Sequence, residues 1–165
     1  MAMLLSGGSV FDGDGNVLAD HGVLIEDDRI TRVAPASEFS DFKGQRVDTS
    51  GGTVLPGLFD CHVHLCMTAS GDTGADMAKM SDAAITMLAL QNAQTILRGG
   101  VTSVRDCGGK DYLEFAVRDA LNARKFMGPT IHAVGKMICM TGGHGNRIGR
   151  IADGVQEVVK AVREQ

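Results

Sequence analysis

Near residue 54 the hydrophobic pattern of this chain changes period, and that change limits what the chain can fold into. Ahead of it, short alternating runs meet turn residues. "SVF" leads into "DGDGN", and "GVLIE" is followed by "DDR" and then "ITRVA" at hairpin distance. Asp-Gly, Gly-Asn and Asp-Asp-Arg between alternating residues signal hairpins. With the later run "QRVDT", residues 1–53 read as a small antiparallel β-module without a helix.

Behind residue 54, strands alternate with helical periodicity. "TVLPGLFDCHVHL" is an apolar run with a proline at its start, where a strand tolerates one. After the polar loop "TASGDTGADMAKM", Ser81 is a helix N-cap. The helix it opens has Ile85, Leu88, Ala89, Ala93, Ile96 and Leu97 on one face, and Gly99-Gly100 closes it. "VTSVRD" is the second strand. Asp111 and Glu114 have capping-box spacing. The next helix presents Leu113, Ala116, Val117, Ala120 and Leu121, and Gly128-Pro129 stops it. "TIHAV" is the third strand. The Gly-rich loop "TGGHGNRIG" lies beyond it, and Asp153 opens a helix with Val155, Val158, Val159 and Val162 on one face.

Three successive strand–helix units imply a parallel α/β sheet, either open and doubly wound or part of an eight-fold barrel. The units fill about 110 residues, under half of the roughly 250 that a complete barrel takes. Hydrophobic residues make up 44% of the chain and tryptophan is absent, so the core must be largely aliphatic. A net charge of −4 without a basic stripe argues against a nucleic-acid partner. No apolar run approaches the length needed to span a bilayer, and "MAMLLSGGSV" lacks the features of a signal peptide. The expected location is the cytoplasm. Cys61, Cys66, Cys107 and Cys139 are irregularly spaced, as expected of reduced thiols rather than a disulfide framework.

His62 and His64 sit in "LPGLFDCHVHLC". Side chains two apart on a strand share a face, roughly 6.6 Å apart along it. Two imidazoles so placed at the carboxyl end of a parallel strand form a sensible metal half-site. Spacing alone equally allows hydrogen-bonded core histidines. Asp60 and Cys66 have the same parity and would share the face if the strand is regular. Cys66 is either a soft third ligand or a small buried side chain beyond the strand end. His132 reads as structural and His21 as a solvated loop residue.

"GGTVLPGLFDCHVHL" resembles the hallmark of the metal-dependent amidohydrolase superfamily, and "GVLIEDDRITRVA" with "RVDTSGG" resembles that superfamily's N-terminal β-module. "GVTSVRDCGG" and "TGGHG" are similar to the imidazolonepropionase-like and Xaa-Pro or Xaa-Arg dipeptidase-like branch. The resemblance implies that residues 54–165 form the first three βα units of a (β/α)8 TIM-type barrel. It implies one or two Zn²⁺ ions as cofactor, with His62 and His64 as metal ligands and His144 contacting the substrate carbonyl. The substrate would be a small amide, a dipeptide or an N-acyl amino acid. The complete enzyme would be cytoplasmic and homo-oligomeric.

In the superfamily a carboxylated lysine, two further histidines and a general-base aspartate come from later strands. None has a counterpart in these 165 residues, so no catalytic residue is assigned here. The expectation is an N-terminal portion of a carbon–nitrogen hydrolase, inactive alone. The alternatives are a non-catalytic assembly unit on the same scaffold and a self-contained metal module closed by His62, His64, His144 and perhaps Cys66.

Overall fold

The computed structural model describes residues 2–165, which divide into two compact units between Pro56 and Gly57. In the first unit, β1 (Ala2–Ser6), β4 (His21–Glu26), β5 (Arg29–Pro35) and β6 (Gln45–Asp48) form one sheet in the order β5-β4-β1-β6. A second sheet joins β2 (Ser9–Phe11), β3 (Val17–Leu18) and β7 (Thr53–Val54) in the order β3-β2-β7. Leu4, Ala34 and Phe39 are the buried centre of this unit.

The module is mixed rather than antiparallel: β1 pairs with β6 and β2 with β7 in parallel. Adjacent sequence segments form the expected hairpins, but the parallel partners return from far along the chain, which turn signals do not reveal. The module also holds a 3₁₀ turn, Ala36–Phe39, which packs Phe39 into the core. Val54 was expected at the head of the barrel strand, and it pairs with Val10 instead. Pro56 has no amide to continue a ladder, so the chain breaks there before the next strand begins. His21 begins β4 rather than lying in a loop, half-buried, with Nδ1 2.7 Å from the Ala19 carbonyl.

In the second unit, β8 (Leu58–Val63), β9 (Val101–Asp106) and β10 (Thr130–Ala133) form a parallel sheet in the order β10-β9-β8. The helices are α1 (Thr73–Ala78), α2 (Asp82–Arg98), α3 (Leu113–Asn122) and α4 (Gly154–Glu164). Between the third strand and α4, β11 (Ile138–Cys139) and β12 (Arg150–Ile151) pair in parallel. The unit's core gathers Leu65, Ile85, Ala89, Ala93, Val104, Val117 and Ile131 from strands and helices alike. This is the mixed α/β arrangement expected from the alternating pattern.

Ser81 caps α2 by accepting from the Ala84 amide at 3.3 Å, and Gly99 ends it. The capping box at α3 does not form. Asp111 has a left-handed backbone and its Oδ1 accepts from Lys136 Nζ at 2.7 Å. Glu114 turns inward and is fully buried. The same helix ends at Asn122, six residues before Gly128, because Arg124 takes φ 54° and its amide bonds back to Leu121. Ala116 is exposed there. Helix α1 falls in a segment expected to be a loop; Asp72 caps it by accepting from the Ala75 amide at 2.9 Å. The four valines of α4 are exposed, and the buried residue of that helix is Ala161.

Candidate metal and substrate site

Strand β8 carries the histidine pair, and it is not regular. Cys61 and His62 together stand opposite the single Arg105, between the register pairs Asp60–Val104 and Val63–Asp106. This two-against-one β-bulge interrupts the alternation, so the expectation that Asp60, His62, His64 and Cys66 share one face fails. Bulges re-aim side chains at strand ends. Asp60 bonds the backbone of its own strand instead, its Oδ1 accepting from the His62 amide at 3.0 Å. His64 lies just past the strand, in a turn closed by the Met67 amide and the His64 carbonyl.

Despite the bulge the two rings meet. Their centroids are 5.3 Å apart with an interplanar angle of 73°. His62 is exposed and His64 half-buried. His64 Nδ1 lies 2.9 Å from the Gly108 carbonyl oxygen. A carbonyl only accepts, so Nδ1 carries a proton, and in the neutral ring Nε2 holds the free lone pair.

Three residues outside the sequence-derived site hold this arrangement. Asp106 is fully buried at the end of β9; its Oδ2 accepts from the Leu65 amide and its Oδ1 from the Gly108 amide, each at 2.9 Å. Asn92 of α2 donates from Nδ2 to the Leu65 and Met67 carbonyls, at 2.8 and 3.0 Å. Gly108 supplies the carbonyl that orients His64. The sequence signals were present: a carboxylate ending an apolar strand, and an asparagine between Ala89 and Ala93 on a buried helix face.

The pair fits half of a zinc site. Zinc–nitrogen bonds of about 2.0–2.1 Å in tetrahedral geometry place two bound imidazole centroids about 5 Å apart. The observed separation matches. A hydrogen-bonded Nδ1 is the usual arrangement of a metal-binding histidine. Among the described residues, no group of three or more His, Cys, Asp or Glu gathers where it could hold an ion. The self-contained module of His62, His64, His144 and Cys66 therefore does not assemble. Cys66 is fully buried, with its Sγ 3.9 Å from Glu114 Oε2. Burial pushes its thiol up to about 12, so it stays neutral in the core rather than serving as a ligand.

His144 is exposed on the Gly-rich loop, and it lines the same cavity of about 520 Å³ that His64 borders. His132 is exposed on β10 opposite Arg105, on the sheet face away from buried Ile131 and Val104. All four cysteines are free thiols. Among the described residues, no helix is long and apolar enough to cross a membrane.

A sequence model of the amidohydrolase family matches residues 53–165. The chain belongs to the amidohydrolase family. It is 32% identical over 176 residues to the imidazolonepropionase of Micrococcus luteus, covering 93% of this chain and 43% of that protein. Among solved structures, a Xaa-Pro dipeptidase with methionine bound in its active site superposes with a TM-score of 0.86 at 29% identity, over 99% of this chain and 44% of that one. A prolidase complexed with N-methylphosphonate-L-proline superposes with a TM-score of 0.81 at 33% identity, over 99% and 43% of the two chains. This amidohydrolase-family chain thus spans less than half the length of the relatives it matches.

Proposed function

We propose that this chain contributes the metal-binding histidine pair of a hydrolase that cleaves carbon–nitrogen amide bonds in dipeptides or N-acyl amino acids. The observation that carries the reading is the facing pair His62 and His64, with His64 Nε2 left free by the bond to Gly108. Similarity to a prolidase and an imidazolonepropionase supports the substrate class. In this reading β8, β9 and β10 form an arc of a (β/α)8 barrel.

His62 and His64 would hold zinc. When bound, zinc lowers the pKa of its water to about 7 and polarises a carbonyl. The chain's own residues orient that chemistry. Asp106 and Asn92 fix the turn after β8, the Gly108 carbonyl keeps His64 in one tautomer, and His144 would meet the substrate carbonyl across the shared cavity. A catalytic zinc takes about three protein ligands. With two imidazoles gathered here, turnover depends on ligands supplied from outside residues 1–165.

The test is an amidase assay on Xaa-Pro dipeptides and N-acyl amino acids with added Zn²⁺. The 165 residues alone are expected to give no turnover above the metal-only blank. A longer polypeptide carrying them is expected to hydrolyse one of these classes and to lose that activity in His62→Ala and His64→Ala. Turnover by the 165 residues alone would overturn the dependence on outside ligands. Unchanged activity in both variants would overturn the role of the histidine pair, and no turnover of either class by the longer polypeptide would overturn the hydrolase reading.

A further inference from the structure

The cavity beside His64 is walled by thioethers. Met67, Met77, Met80 and Met137 all line it, four of the nine methionines in the chain. They come from four segments: the turn after β8, α1, the link into α2, and the stretch after β10. Core filling explains Met77, which is buried. Met67 and Met80 pack against that core with one side and, like Met137, which lies outside it, stay half-buried at the edge of an open space.

Met137 is seated by a glycine. Gly145 has φ +79°, and a Cβ there would lie 2.0 Å from Met137 Sδ, so the loop backbone approaches the thioether as closely as it does only because that position is glycine. Arg147, on the same loop, crosses α1; its Nη1 lies 3.1 Å from where a Cβ on Gly74 would stand. Two permanent cations border the cavity. Lys110 is already bound to Asp82 at 2.6 Å. Among the described residues, Arg147 forms no ion pair, and the carboxylate beside it is Asp72, whose Oδ1 lies 3.6 Å from the same point over Gly74 and already accepts from the Ala75 amide.

We propose that this cavity is a specificity pocket for a substrate that carries an unbranched, flexible apolar chain next to a carboxylate, with the chain against the methionines and the carboxylate on Arg147. Thioethers adapt their shape to a flexible guest, and a guanidinium grips a carboxylate with two parallel hydrogen bonds. About 520 Å³ is within the range of small-molecule sites. The inference deepens the hydrolase reading and rests on it for the reacting bond, whereas binding itself needs no metal.

The experiment is therefore done in chelator, by NMR titration of the chain with N-acetylnorleucine, its neutral amide, and N-acetylglycine. N-Acetylnorleucine is expected to bind at least about tenfold more tightly than N-acetylglycine, since each buried methylene contributes several-fold, and more tightly than its neutral amide, which cannot form the charged pair with Arg147. Arg147→Gln should abolish the acid-over-amide preference and keep the norleucine-over-glycine preference. Met67→Ser with Met80→Ser should do the reverse, and circular dichroism identifies any variant that fails to fold. Arg147→Lys, which keeps the charge on the loop, should retain part of the acid preference. Equal binding of the three ligands by the wild-type chain overturns the proposal, as does an acid preference that survives in folded Arg147→Gln. Loss of zinc binding or of hydrolysis would sink the hydrolase reading and leave these preferences standing.

Discussion

His64 donates from Nδ1 to the carbonyl oxygen of Gly108 at 2.9 Å, across 44 residues of sequence. That bond traces back to one buried carboxylate. Asp106 accepts from the Gly108 amide and from the Leu65 amide, clamping both the acceptor of the histidine proton and the residue that follows the histidine. Each carboxylate oxygen is used once, so neither can be removed without leaving a buried donor unmet.

Asp106→Asn keeps one acceptor and turns an NH₂ toward the other amide proton. A buried donor left unmet costs about 1–3 kcal/mol. Loss of such a supporting partner typically lowers metal affinity about 10–100-fold. Zinc titration with thermal unfolding checks both. A fall in stability with unchanged zinc affinity would show that Asp106 supports the fold and not the histidine.

Glu114 makes stability depend on pH. Its carboxyl is raised from 4.5 to about 7, first by burial and then by repulsion from Asp106, while the Cys66 thiol and Arg118 pull the other way. A carboxyl raised on folding favours the protonated folded state. Its contribution is fully present below about pH 4.5 and is lost as pH rises through about 7. The loss is roughly 3 kcal/mol at 1.36 kcal/mol per pH unit. Glu114→Gln cannot ionise, so its unfolding midpoint should rise relative to the parent above pH 7 and the slope between pH 4.5 and 7 should flatten. Parallel pH profiles for parent and variant would refute this.

Gly57→Ala tests the entry to β8. A Cβ at position 57 would sit 2.1 Å from Thr102 Oγ1 and 2.7 Å from Thr102 Cβ. The hydroxyl can rotate away and the Cβ cannot, so the two strands must move apart. Overpacking of this kind costs about 1–3 kcal/mol. The double variant Gly57→Ala, Thr102→Gly should recover most of the loss in a chemical denaturation series.

The alternating pattern after residue 54 was legible because each βα unit is local: Ser81 to Gly99 carries its own caps and period. What the sequence hid was non-local or competing. The parallel pairs β1–β6 and β2–β7 join segments that no turn connects. The Asp111–Glu114 spacing read as a capping box, but burial beside Cys66 claimed Glu114 and Lys136 claimed Asp111. For the site, the spacing of His62 and His64 pointed to neighbouring rings. The bulge opposite Arg105 was invisible, since one extra residue leaves no mark in a short apolar run. Asp106 and Asn92 carry no such mark because their partners are backbone groups, which residue types do not advertise.

Imidazole nitrogen NMR during zinc addition addresses the joint role of the two histidines without requiring turnover. With one equivalent of zinc, Nε2 of His64 and one ring nitrogen of His62 should move together to coordinated shifts, while Nδ1 of His64 stays protonated against Gly108. If zinc leaves both rings unmoved, or moves the rings of His21, His132 or His144 in their place, His62 and His64 do not form a shared metal site.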